Sequence, residues 1–186
     1  MAHLTRYYMY KKIKENFKKQ MNGKIFGISG IENYQCLISK NAEVIDVQYP
    51  EVDMQDLPYE DKTFDYVISD QVIEHLENPQ KAIDESYRVL KKDGIAIHTT
   101  CFINYIHPCP KDFWRFSTEA LKYLCKDFSE IIQCEGWGNR IAILLCFISD
   151  RFRFMRIPEN KWSFRHLVAT WSEKGYPIVT WIIARK

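Results

Sequence analysis

Two groups of side chains in this sequence could do chemistry. In the first, Asp46 and Asp70 each close an apolar run, and a turn containing Gly27, Ser29 and Gly30 lies ahead of them. Glycine has no Cβ, so such a turn lets a ligand come close to the backbone, although a lone GxxG also makes an ordinary turn. Asp46 stands sixteen positions after Gly30. Dinucleotide folds place the acid that accepts hydrogen bonds from ribose hydroxyls about 20 residues after the turn. The second group is the stretch His107–Ser117, HPCPKDFWRFS, which sets an imidazole, a carboxylate and a guanidinium among aromatic rings. A general base needs a pKa near neutrality, which makes His107 the first catalytic candidate and Asp112 the second. His107 can also serve as a plain loop hydrogen-bonder. Arg115 can grip a carboxylate or phosphate bidentately or pair with a neighbouring acid, and Trp114 can be a stacking wall or part of the core. His107 and Cys109 together offer too few ligands for a metal site.

These residues need a sheet edge to hold them. Residues 56–94, DLPYEDKTFDYVISDQVIEHLENPQKAIDESYRVLKKDG, read as turn, buried strand, acidic strand tip, capped helix and glycine stop. That is one crossover unit of a parallel sheet, and in such sheets ligands collect at the carboxyl ends of the strands, here near Asp70. Asn78 is the expected N-cap, Pro79 the first helical residue, and Gly94 the left-handed residue that stops the helix. Around this unit the patterning predicts strands at 24–30, 42–48, 52–57, 64–69, 95–100, 130–135 and 177–184. A brief helix is expected at 32–39 and another after Ser117. His75, beside Glu74 on an apolar turn, reads as structural.

With 186 residues, 46% hydrophobic and 15% aromatic, the chain fits one well-buried domain over 1–186 and is too apolar to be disordered. Its net charge of +2 is unevenly spread, with seven Lys/Arg against one acid in residues 1–24. Tyr10, Ile13, Phe17 and Met21 recur near helical spacing, so 1–22 is expected as a basic amphipathic helix whose outer face is solvated or meets RNA or an anionic surface. RIAILLCFI (140–148) is apolar nearly all round, which predicts burial on both sides or a homo-oligomer interface. Residues 151–167 mix arginines with aromatics, as a loop stapled to the core or an RNA-stacking surface would. Segments 105–117 and 139–167 are expected to wall or cover a substrate. The six cysteines form no CxxC pair. Without a signal-peptide core or an apolar run of about 18 residues, the expectation is a cytoplasmic chain with reduced thiols and no membrane partner.

Taken together, the strand-glycine turn, the strand ending in Asp46, Asp56-Leu-Pro-Tyr, Phe64-Asp65-Tyr-Val-Ile-Ser, Glu74-His75-Leu and Arg88-Val-Leu-Lys-Lys-Asp-Gly94 resemble the class I S-adenosylmethionine-dependent methyltransferases. The likeness covers residues 23–138. His107–Ser117 and Gly136–Arg140 look like a small bacterial, methyltransferase type 11-like branch, found among carbohydrate and secondary-metabolite functions. The resemblance implies an α/β, Rossmann-like sheet of seven strands, mostly parallel, with helices on both faces and the last strand antiparallel. It implies S-adenosylmethionine as cofactor and an oxygen or nitrogen of a small-molecule acceptor as the methylated atom. By position, Gly27, Ser29 and Gly30 would approach the methionine end, Asp46 the ribose, Asp56 and Leu57 the adenine, and Ser69, Asp70 and Gln71 the floor beneath the sulfonium. One departure stands out: Phe26 and Gly27 occupy the positions where the family carries an acid. Two alternatives follow, an RNA methyltransferase served by the basic residues, and a non-catalytic binding or assembly protein with a degenerate cofactor loop.

Overall fold

The computed structural model describes residues 3–186. Six strands form one sheet: β1 (Lys24–Ile28), β2 (Glu43–Val47), β3 (Phe64–Asp70), β4 (Leu90–Cys101), β5 (Glu130–Trp137) and β6 (Val179–Arg185), in the order β2-β1-β3-β4-β6-β5. β1 to β4 pair in parallel, while β6 lies antiparallel between β4 and β5. The expected parallel sheet with an inserted antiparallel last strand is therefore present, with six strands in place of seven.

The missing strand is 52–57. Its apolar residues Met54 and Leu57 are buried as expected, but the Asp53 carboxylate accepts from the Gln55 N–H at 2.8 Å and the Asp53 carbonyl accepts from the Asp56 N–H at 3.1 Å. An aspartate that hydrogen-bonds two residues ahead holds the backbone in a turn and removes it from any ladder. β2 is left as the sheet edge.

Strand alternation sends side chains to two cores, because successive residues of a strand point to opposite faces. Ile25, Ile68, Ile97, Trp181 and Ile183 face one cluster, with Leu4, Met9 and Ile13 of α1 (Leu4–Glu15). Phe26, Val67, Ala96, Ile182 and Ala184 face the other, with Ala82, Ile83 and Val89 of α2 (Pro79–Val89) and Leu121 and Leu124 of α3 (Thr118–Leu124). Asn78 caps α2 by accepting from Lys81 N–H, and Ser117 caps α3 by accepting from Ala120 N–H. Such caps contribute about 1 kcal/mol each.

Three expectations about helices need correction. α1 ends at Glu15, where the Asn16 side chain donates back to the Lys12 carbonyl, and Met21 instead joins a parallel bridge to Ile38. Residues 1–2 of the expected helix lie outside the described residues. Gly94 does not end α2: the helix stops at Val89, where Lys186 Nζ donates to the Tyr87, Arg88 and Leu90 carbonyls, and Leu90 already pairs with Phe64. The left-handed residue there is Asp93, and Gly94 lies inside β4. The third concerns α4 (Arg140–Ile148), where the first of the two alternatives, burial on both sides, fails and the oligomer-interface alternative stands untouched; Ala142 is its buried residue, and its remaining apolar side chains are partly or largely exposed. α5 (Asp150–Arg153) and α6 (Phe164–Thr170) follow. Among the described residues no helix is long and apolar enough to cross a membrane.

Candidate functional site

The carboxyl ends of β1, β3 and β4 converge on Asp70. Past β1 the backbone passes through left-handed conformations at Ser29 (φ 55°) and Gly30 (φ 77°). A Cβ on Gly30 would lie 2.6 Å from an Asp70 carboxylate oxygen, so the missing side chain is what lets the turn close onto that acid. Ser29 Oγ accepts from the Tyr49 N–H at 3.2 Å. Gly27 pairs in register with Asp46 on β2, whose carboxylate is exposed at the sheet edge. Partial desolvation, then the neighbouring Glu32, push the Asp46 pKa above the ordinary carboxylate value.

Asp70 is almost fully buried and well supplied with donors. Oδ1 accepts from Thr99 Oγ1 at 2.5 Å, while Oδ2 accepts from the Tyr10 hydroxyl and from Asn33 Nδ2. The Arg6 guanidinium of α1 also stands near Asp70 and Tyr10. Gln71 (φ 59°) donates its N–H to Thr99 O and Oγ1, at 3.0 and 3.2 Å, which locks the turn leaving β3. Gly30, Asp70 and Gln71 are thereby drawn together, with Asp46 opposite Gly27 at the edge.

Other expected residues lie apart from this group. Ser69 points to the α2–α3 face, is fully buried and hydrogen-bonds His98 Nδ1 at 2.8 Å, so its hydroxyl is committed below the floor. Burial lowers the His98 pKa to about 3 and keeps the ring neutral. Leu57 has both backbone groups engaged: its N–H donates to Glu85 Oε2 at 2.9 Å and its carbonyl accepts from Arg88 Nη2 at 3.0 Å. It can offer a ligand only its apolar side chain, whereas the adjacent Asp56 side chain is exposed.

The second group of residues sits in the loop after β4. Arg115 forms a fork with Asp112, Nη1 to Oδ1 at 2.5 Å and Nη2 to Oδ2 at 2.8 Å, and Asp112 also accepts from the His107 N–H at 2.8 Å. Arg115 holds the Asp112 carboxyl far below its usual range, so this acid stays ionised and is a poor proton acceptor. His107 Nδ1 lies 3.2 Å from Asp112 Oδ2 and 3.1 Å from the Tyr105 carbonyl. Partial burial lowers the His107 pKa and favours the neutral ring. Trp114 donates Nε1–H to the Leu76 carbonyl at 2.8 Å and leaves part of its ring exposed.

The Glu74–His75 turn fastens this loop to the first group. The Glu74 carbonyl accepts from the Phe113 and Trp114 N–H groups at 2.9 and 3.2 Å, and His75 Nδ1 contacts the Lys111 carbonyl at 2.6 Å. The Glu74 carboxyl is fully buried. Oε2 accepts from Thr100 Oγ1 at 2.9 Å and Oε1 has no hydrogen-bond partner among the described residues, while desolvation raises the Glu74 pKa. Among the described residues, Glu74, Cys101 and His107 bring ligand atoms within 4.8 Å of one another, as a metal would need. Arg6 and Arg115 already offset that carboxylate with positive charge. Beyond the loop lies a cavity of about 700 Å³, lined by Tyr8, Phe102, Ser117, Glu135, Lys174 and Pro177 among others.

Sequence reading missed Arg6, Tyr10, Asn33, Thr99 and the orphaned Glu74 oxygen. Only Glu74 left a signal, as an acid amid the apolar residues Val72, Ile73 and Leu76 just past a strand tip.

Comparison with known proteins places these features in context. A family model described as a methyltransferase domain matches residues 14–98. The chain is 45% identical over 64 residues to a chloroplastic 2-methyl-6-phytyl-1,4-hydroquinone methyltransferase of Oryza sativa, a match that covers 34% of this chain and spans only 17% of the rice protein. An S-adenosylmethionine-dependent methyltransferase structure from Archaeoglobus fulgidus aligns over 97% of this chain and 94% of its own, with TM-score 0.61 and 16% identity. A phosphoethanolamine N-methyltransferase 2 from Haemonchus contortus, solved with S-adenosyl-L-methionine, aligns over 97% of this chain and 52% of its own, with TM-score 0.62 and 15% identity. At these identities the two structures establish likeness of fold.

Proposed function

We propose that this chain, whose residues 14–98 match a methyltransferase-domain family model and whose fold resembles that of an S-adenosylmethionine-dependent methyltransferase, is a class I methyltransferase that transfers a methyl group from S-adenosylmethionine to an oxygen or nitrogen of a small-molecule acceptor. The observation that carries this reading is the closure of the Ser29–Gly30 turn onto Asp70, with Asp46 on the neighbouring strand opposite Gly27. The residues fit the cofactor. An exposed carboxylate beside a left-handed turn suits a ribose diol next to a close-approaching chain. Asp70 accepts three hydrogen bonds; a carboxylate offers about four lone-pair sites, so one remains for an ammonium group. This supplies the charge that Phe26 and Gly27 lack.

The cofactor brings a methyl group on a positively charged sulfur, already activated for displacement. The chain's own task is to orient the acceptor, exclude water and take up a proton. Asp46 holds the ribose hydroxyls, Asp56 and the Leu57 side chain flank the adenine, and Gly27–Gly30 with Asp70 and Gln71 receive the methionine end. His107 is the proton acceptor, its ring oriented through Nδ1 by Asp112 and the Tyr105 carbonyl. Asp112 is a positioning residue, kept anionic by Arg115. Trp114 forms a wall of the acceptor site. Residues 1–186 act as one unit in this reading, and sugar hydroxyls are the first acceptors to screen.

A second reading, a non-catalytic binding protein, draws on one observation: Tyr10 and Arg6 of α1 already cover Asp70. Titration calorimetry with S-adenosylmethionine and S-adenosylhomocysteine separates the two. Saturable binding that is weakened in Asp46→Ala supports methyl transfer, and absence of binding to either compound leaves the non-catalytic reading.

A further inference from the structure

We propose that the outward face of α4, α5 and α6 docks on an anionic lipid surface. α4 packs against both α5 and α6, and the segment is held to the core from beneath by Ile157, Val168 and Ala169. Its other side is apolar to a degree that water does not explain. Leu144, Phe147, Ile148, Phe154, Trp162 and Phe164 are each more than half exposed, and Trp162 is 89% exposed. Such a concentration of exposed large apolar side chains within residues 144–164 marks an interaction surface.

Charge identifies the partner. The same segment carries Arg151, Arg153, Arg156, Lys161 and Arg165 against Asp150 and Glu159. None of the five cations forms an ion pair among the described residues. A second copy of the chain would bring this positive face against its own like charge. RNA would use the cations and aromatic rings but gain nothing from Leu144, Ile148 and Leu167, which lie exposed among them. A bilayer with anionic headgroups uses all three: aliphatic side chains enter the acyl boundary, tryptophan and phenylalanine sit at the interface, and arginines meet phosphates. The sequence predicted no membrane partner from the lack of a crossing segment, but surface docking requires no such segment. Arg153 stacks over the Tyr105 ring at 4.4 Å, so the face is continuous with the loop carrying His107. Docking brings that loop to the lipid surface.

Co-sedimentation with phosphatidylcholine vesicles, alone or mixed equally with phosphatidylglycerol, tests the proposal on cofactor-free protein. Its outcome is therefore read separately from cofactor binding. The wild type is expected to partition at least about tenfold more strongly onto the mixed vesicles, and to lose most of that gain in about 0.5 M salt. The triple variant L144S/F147S/I148S, with an unchanged circular dichroism spectrum, is expected to lose about tenfold or more. Absence of binding to mixed vesicles, or equal binding to both compositions, would overturn it. So would a dimer in sedimentation equilibrium that the triple variant dissociates, or salt-sensitive binding to single-stranded RNA by a protein that ignores vesicles.

Discussion

Replacing His98 by glutamine should flatten the dependence of stability on pH between 7 and 5. The ring is fully buried beneath the site floor, bonded to Ser69, and its pKa falls from 6.5 to about 3 because burial penalises the imidazolium. In the unfolded chain the same ring titrates at its ordinary value, so between these pKa values the unfolded state binds the extra proton. Stability from the neutral ring is complete above pH 6.5 and is lost as pH falls. The cost accumulates at about 1.4 kcal/mol per pH unit below that point, which gives about 2 kcal/mol between pH 7 and pH 5. Glu74 and Asp46, whose pKa values are raised, act in the opposite sense, but both remain in the variant and cancel in the comparison. Urea denaturation of wild type and His98→Gln at pH 5, 6, 7 and 8 gives the difference directly; glutamine keeps a hydrogen-bonding partner for Ser69 without a titrating group. If both proteins lose the same stability on acidification, His98 is not a buried neutral ring and the reasoning fails.

Three further outcomes are expected. Asp46→Ala should weaken S-adenosylmethionine binding by about 1–3 kcal/mol through lost charge-assisted hydrogen bonds, measured by calorimetry; unchanged affinity in a folded variant would reject the ribose assignment. Gly30→Ala should destabilise the protein by about 1–3 kcal/mol, since the residue sits at φ 77° and the new methyl meets Asp70, and an unchanged melting temperature would contradict the packing described. With an acceptor in hand, His107→Gln should lower kcat by about 10²–10⁴-fold, and the acid limb of the wild-type kcat/KM profile should lie below pH 6.5 because burial depresses this ring. A limb above that value, or none in wild type, would remove His107 as the base.

Much of the scaffold was legible because it rests on local signals. Apolar runs such as Tyr66–Ser69 and Val179–Ala184 had no period that a surface helix could use, and Asn78-Pro79 and Ser117 are side-chain caps that act within three residues. Val52–Leu57 misled because Val52, Met54 and the buried Leu57 imitate a strand, while the deciding Asp53 turn is a competition between side chain and ladder that periodicity does not register. Gly94 misled for the opposite reason: a glycine after a basic helix end fits a C-cap, but Lys186, distant in sequence, caps the carbonyls earlier. Within the site, Asp46, Asp70 and the glycine turn could be read from strand ends. The partners of Asp70 could not, since Tyr10 lies 60 positions away and Thr99 29 positions away. Only the folded sheet and α1 bring them together.

The position of β6 constrains how this chain reaches its fold. Among the described residues β5 pairs with no strand except β6, and β4 has β6 as its neighbour on the side away from β3. During synthesis, residues 90–101 therefore present a bare hydrogen-bonding edge, and residues 130–137 have nothing to pair with, until 179–185 emerge. Such edges recruit strands from other chains. Insertion of β6 covers the open edge of β4 and gives β5 its partner in one step.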